Sequence, residues 1–211
     1  MFLALLAILS ALTAWEGLRM YRQQVAIREI ERLGGKIGSE PDCPKWLQPW
    51  LATEQLRLFD RVVEVGLGNA KASDETMGHL GCLRHLKTLY LDGTQITDTG
   101  LACIRSSTEL EDLILDRTQI TDAGVAQLQG LRALEKLSLS ETRITDAGLA
   151  HLKSLARLKL VHLARTQVSD AGVADLRQHL PNASVWKLVV RDDRDLVRWP
   201  PWLGQPGTGF M

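Results

Sequence analysis

The sequence predicts an α/β stack of near-identical units, each a short strand followed by a helical turn, with an apolar helix ahead of them. Three observations predict it. A 24-residue period runs through the middle of the chain without slippage: TQITDTG starts at Thr94, TQITDAG at Thr118, TRITDAG at Thr142 and TQVSDAG at Thr166. Leucine occurs 37 times in 211 residues while aromatics make up 5%, so the core is aliphatic and repetitive. An uncharged run, FLALLAILSALTAW at 2–15, opens the chain.

That opening run spans about 21 Å as a helix, against a hydrocarbon core of ~30 Å. It continues through Gly17, Leu18, Met20 and Tyr21, with Arg19 able to snorkel and Trp15 and Tyr21 suited to the headgroup level. A membrane anchor over 1–21 is therefore expected. A cleaved signal peptide fits less well, because no basic residue precedes the run and Leu12 would sit badly before a cut after Ala14. Arg19, Arg22, Arg28 and Arg32 follow the run, which places the rest of the chain on the cytoplasmic side of a single-pass protein.

Residues 21–33 keep a helical pattern, with Val25, Ile30 and Leu33 on one side and Glu29 and Arg32 spaced to pair. Gly34-Gly35 ends the helix. Two readings stay open on pattern alone: an amphipathic stalk and linker over 22–40, or a helix docked on the following domain. Residues 41–61, with KWLQPWL at 45–51, are expected to cap the first strand at Val62, Val65 and Leu67.

The repeats cover 62–180 in five copies, the first of them degenerate. Each reads L-x-x-L-x-L-x-x-T-x-I-T-D-x-G-[LV]-x-x-[LI]. The L-x-L core has the period of a strand with one buried face. Pairs such as Leu101 with Ile104 and Val125 with Leu128 share one face of a helical turn. Ser73, Thr97, Thr121, Thr145 and Ser169 stand just before that turn, and exchange of Thr for Ser keeps the oxygen that caps a helix. The aspartate that always follows meets the positive end of the helix dipole. All six tryptophans lie outside the repeats. Residues 181–211 are expected to add a last strand that closes the stack, then a Pro/Gly/Trp tail.

These residues resemble the leucine-rich repeat family, and in particular its small membrane-anchored bacterial members. The resemblance implies a right-handed solenoid with a parallel sheet on the concave side and short helices on the convex side. The family places Asn or Cys at the ninth position to bond backbone between turns. Thr94, Thr118, Thr142 and Thr166 stand there, and a hydroxyl that both donates and accepts is expected to take that role.

The resemblance implies binding of a protein or peptide on the concave face. Its outward positions offer Tyr90, Asp92, Asp112, Ile114, Asp116, Arg117, Lys136, Ser138, His162 and Arg165 as partner-binding candidates, acidic in the first half and basic in the second. The alternative is a structural envelope component whose contacts are made by stalk or tail. No enzymatic role is expected, since the chain lacks a nucleotide-binding loop, a nucleophile elbow and an H-E-x-x-H pair. His79, Cys82, His85 and Cys103 have ligand chemistry, but His79 falls in an exposed helix slot shared by Gln127 and Asp175, so neither metal nor cofactor is expected. Three cysteines do not make a disulfide framework. Charge excludes nucleic-acid binding: 25 basic groups balance 25 acidic ones, and residues 62–180 carry 13 against 15.

Overall fold

The computed structural model describes residues 17–18, 20–42, 48–50 and 60–187. The run at 2–16, most of the 45–51 segment and the tail from 188 lie outside the described residues. Among the described residues, no helix is long and apolar enough to cross a membrane.

Helix α1 covers residues 20–32. Its stop is the expected one: Gly34 adopts φ +73°, and the Gly34 and Gly35 amides donate to Glu31 and Ile30 carbonyls at 2.9 Å. The helix does not stand away from the domain. Ala26 and Ile30 are fully buried in the same core as the repeats, and Gln23 Nε2 donates to the Asp60 carbonyl at 2.7 Å. The docked reading therefore holds, and the stalk is corrected. The linker is corrected too, because Lys36–Glu40 forms strand β1, antiparallel to β2 (Arg61–Gly66) with a bulge between Gly38 and Ser39. The physical reason is edge protection: β1 pairs the backbone groups that β2 would otherwise expose at the end of the stack. Trp50, in a short turn at Gln48–Trp50, is 82% exposed. Among the described residues, then, the covering of Val62, Val65 and Leu67 is done by α1 and β1.

From β2 onward each rung repeats strand and helix. The strands are β3 (Thr88–Tyr90), β4 (Asp112–Ile114), β5 (Lys136–Ser138), β6 (Leu160–His162) and β7 (Ser184–Trp186). The helices are α2 (Asp74–Leu80), α3 (Asp98–Leu101), α4 (Asp122–Gln127), α5 (Asp146–Leu152) and α6 (Asp170–His179). One seven-stranded sheet runs β1 to β7 in chain order, parallel from β2, and every parallel pair is offset by 24 residues. Each helix packs on the next, and the leucines of the strands and helices fill the space between the two layers.

The T-D-x-G tract is what locks one rung to the next. Thr97, Thr121, Thr145 and Ser169 cap their helices as expected, each side-chain oxygen accepting an amide of the first turn. The aspartates do more than face a dipole. Both oxygens of Asp122 accept from the following rung, from Thr145 N–H at 2.8 Å and Thr145 Oγ1 at 2.6 Å. Asp74, Asp98 and Asp146 do the same with Thr97, Thr121 and Ser169. The glycine two residues after each aspartate makes room: a Cβ on Gly100 would lie 2.5 Å from Asp74 Oδ1. Helix α2 has Thr76 in that slot, and Thr76 Oγ1 instead accepts the Ser73 amide at 3.4 Å.

The ninth-position threonines are a correction. Thr94, Thr118 and Thr142 are buried, and their hydroxyls donate to carbonyls of their own rung, at Leu91, Leu115 and Leu139, 2.5–2.6 Å away. A hydroxyl on so short a side chain reaches back three residues but does not span the gap between turns.

Candidate functional site

The open face of the sheet carries the expected positions in register. Across it, strand pairing sets Tyr90, Ile114, Ser138, His162 and Trp186 side by side in one row. A second row holds Thr88, Asp112, Lys136, Leu160 and Ser184. The face is contoured. Ile114 (8% exposed) and Ser138 (3%) form a low floor between half-buried Tyr90 on one side and half-buried His162 on the other. Trp186, at 53% exposed, stands proud at the end of the row. Trp186 was absent from the sequence-based candidates, although the period itself points to it, 24 residues after His162.

The charges on this face are spent on one another. Lys136 Nζ lies 2.7 Å from Asp112 and Arg165 Nη1 3.2 Å from Glu141, in each case one rung away. Arg117 reaches Asp92 at 3.4 Å and, two rungs back, the Asn69 side-chain oxygen at 3.3 Å. It can do so because the intervening residue of that column is Gly93. Asn69, Gly93, Arg117, Glu141 and Arg165 share a left-handed backbone with φ between 55° and 66°, and the amides of the first four extend the sheet ladder one step beyond the strands. The expected progression from acidic to basic thus resolves into neutral pairs. Burial also pushes the His162 imidazole below its ordinary pKa, so it adds no positive charge at neutral pH.

Asp116 lies 7% exposed beneath the row. Its Oδ1 accepts from Ser138 Oγ at 2.5 Å and from the Ser140 amide at 2.7 Å. Burial raises its pKa, opposed by those two hydrogen bonds and by Arg117, and reinforced by Asp92. It belongs to the floor rather than to the contact surface. Burial, with help from Glu64 and Asp112, holds the Tyr90 phenol above its ordinary range, so Tyr90 presents a neutral ring and hydroxyl.

The histidine and cysteine candidates do not converge. Cys82 Sγ donates to the His79 carbonyl at 3.0 Å, while His85 Nδ1 lies 3.1 Å from Glu109 of the next rung. Among the described residues no group of three His, Cys, Asp or Glu is placed to hold a metal ion.

The Leucine Rich repeat family model matches residues 82–104 of the chain. No curated protein matches it. Among solved structures, internalin C2 of Listeria monocytogenes is 31% identical over 53% of this chain and 46% of its own, with a TM-score of 0.44. A leucine-rich repeat protein of Leptospira interrogans is 20% identical over 52% of this chain and 27% of its own, with a TM-score of 0.42. The ectodomain of the Arabidopsis thaliana receptor kinase SOBIR1 is 16% identical over 80% of this chain and 92% of its own, with a TM-score of 0.51, a likeness of fold. The chain spans less than half the length of the two bacterial chains.

Proposed function

We propose that the chain, whose repeats are similar to leucine-rich repeats, is a non-enzymatic interaction module, tethered to a membrane through residues 2–21, that binds a protein or peptide on the open, concave face of its sheet. Leucine-rich repeat domains generally mediate protein–protein interaction. The observation that carries the reading is the row from Tyr90 to Trp186, with its aromatic and aliphatic side chains, on a face where Arg117, Lys136 and Arg165 are each paired with a carboxylate. Aromatic side chains in such a setting are the usual anchors of a contact, and a neutral rim keeps water away from them. Membrane attachment rests on the uncharged run at 2–15 and the arginines behind it, which also support a cytoplasmic orientation for the repeats.

The test is crosslinking and capture from native membranes with the full chain. Tyr90→Ala with Trp186→Ala is expected to lower capture of the partner by about tenfold or more while circular dichroism stays unchanged. Capture at the wild-type level would move the contact off this face. Protease accessibility in sealed vesicles checks the orientation: repeats cleaved only after the membrane is breached from the cytoplasmic side would reverse it.

A further inference from the structure

The described residues end at Lys187, beside the most exposed part of the row. Leu160 and His162 on β6 are half-buried and Trp186 on β7 is 53% exposed, next to the point at Lys187 where the described residues end. The low floor at Ser138 adjoins them. Lys187 itself is fixed to the solenoid, its Nζ 2.6 Å from Asp170. At least 24 residues follow, and among them stands Leu196-Val197-Arg198-Trp199-Pro200-Pro201-Trp202-Leu203.

We propose that this segment, 196–203, is the intrachain occupant of the C-terminal half of the face, with Trp199 and Trp202 against Trp186, His162 and Leu160. Chemistry and reach both favour it. A Trp-Pro-Pro-Trp segment lacks two backbone donors, is predisposed to a polyproline conformation, and docks on aromatic-lined surfaces by ring and proline packing rather than by charge. The surface suits that, because Lys136 and Arg165 are already paired with Asp112 and Glu141. The eight residues 188–195 span up to about 26 Å when extended. The return from β7 to β5 is two strand spacings, ~10 Å. This inference does not depend on an external partner, but such a partner would have to displace the segment to use the same half of the face.

The experiment adds a fluorescently labelled synthetic peptide of residues 196–203 to three full-length proteins: wild type, Trp199→Ala/Trp202→Ala, and Leu160→Glu/His162→Glu built on that double variant. An intrachain occupant competes at an effective concentration near the millimolar range, so the peptide is expected to bind the tryptophan variant roughly tenfold or more tightly than wild type. Binding should be lost in the third protein, with circular dichroism unchanged in all three. Equal affinity for wild type and the tryptophan variant, no binding to the tryptophan variant, or binding that survives the glutamates would each overturn the proposal. So would a wild-type dimer in sedimentation that dissociates in the tryptophan variant, since the segment would then lie on a second copy. Loss of partner capture in Tyr90→Ala/Trp186→Ala with no competition in the peptide experiment would leave the functional reading standing and remove only this one.

Discussion

Ser107 occupies a slot that the period fills with Leu83, Leu131 and Leu155, all buried. It is 1% exposed, and among the described residues its hydroxyl has no hydrogen-bond partner. A buried hydroxyl in that condition costs more than it contributes. Ser107→Ala is therefore expected to raise stability by about 1 kcal/mol in urea unfolding. Asp116 makes the opposite kind of demand. Its carboxyl titrates higher in the folded chain than in the unfolded one, because burial disfavours the charge. The folded chain thus keeps this proton over a range where the unfolded chain has lost it, and the contribution to stability falls as the pH rises through that range. Asp116→Asn retains an oxygen for Ser138 and the Ser140 amide while removing the charge. The variant should melt at a higher temperature at neutral pH, and its stability should depend less on pH between the unfolded carboxylate's range and neutrality. A lower melting temperature at neutral pH would mean that the charge is needed there.

At the level of single elements, the caps at Thr97, Thr121, Thr145 and Ser169 also tie two rungs together, since one hydroxyl accepts its own helix's amide and donates to the aspartate before it. Asp122→Ala removes both bonds to Thr145 and the negative charge at the start of α4. Destabilisation of about 1–3 kcal/mol is expected from equilibrium unfolding. Asp170→Ala is the control: among the described residues its carboxylate meets only the side chain of Lys187, and its own side chain is 93% exposed, so little change is expected. Much of this was legible beforehand. The period placed the strands of the repeats, the Thr/Ser exchange marked their helix caps, and the spacing of 24 between Asp112 and Lys136 already implied that they sit side by side. The second duty of the aspartates was not legible, because a dipole partner and an inter-rung acceptor call for the same residue. The glycine after them held the clue, since only a close approach explains it in the interior of a short helix. Strand β1 was hidden for another reason: five residues with two glycine or serine positions, KIGSE, carry too little alternation to tell strand from linker.

Over the whole molecule, stability is a chain of neighbour contacts rather than a single globular core. The N-terminal end depends on α1, whose Ala26 and Ile30 are the described residues that close the core there together with β1. Ile30→Ala is expected to cost roughly 2–4 kcal/mol locally. Hydrogen exchange should report the loss in β1 and β2 first, with β5 to β7 keeping their protection. Uniform loss across all rungs would mean that the stack unfolds as one unit. The same nearest-neighbour logic gives the aspartate ladder a direction: each carboxylate receives its donors from the rung that follows. A tandem duplication of any internal 24 residues, for example 118–141, would therefore find donor and acceptor already in place on both sides and lengthen the array without new chemistry. A 23- or 25-residue insertion would leave one carboxylate without its donors. Among the described residues, Asp170 has the Lys187 side chain as its partner in place of a Thr or Ser amide and hydroxyl. Rung number can therefore change by whole periods of 24 while the bonds between neighbouring rungs stay the same.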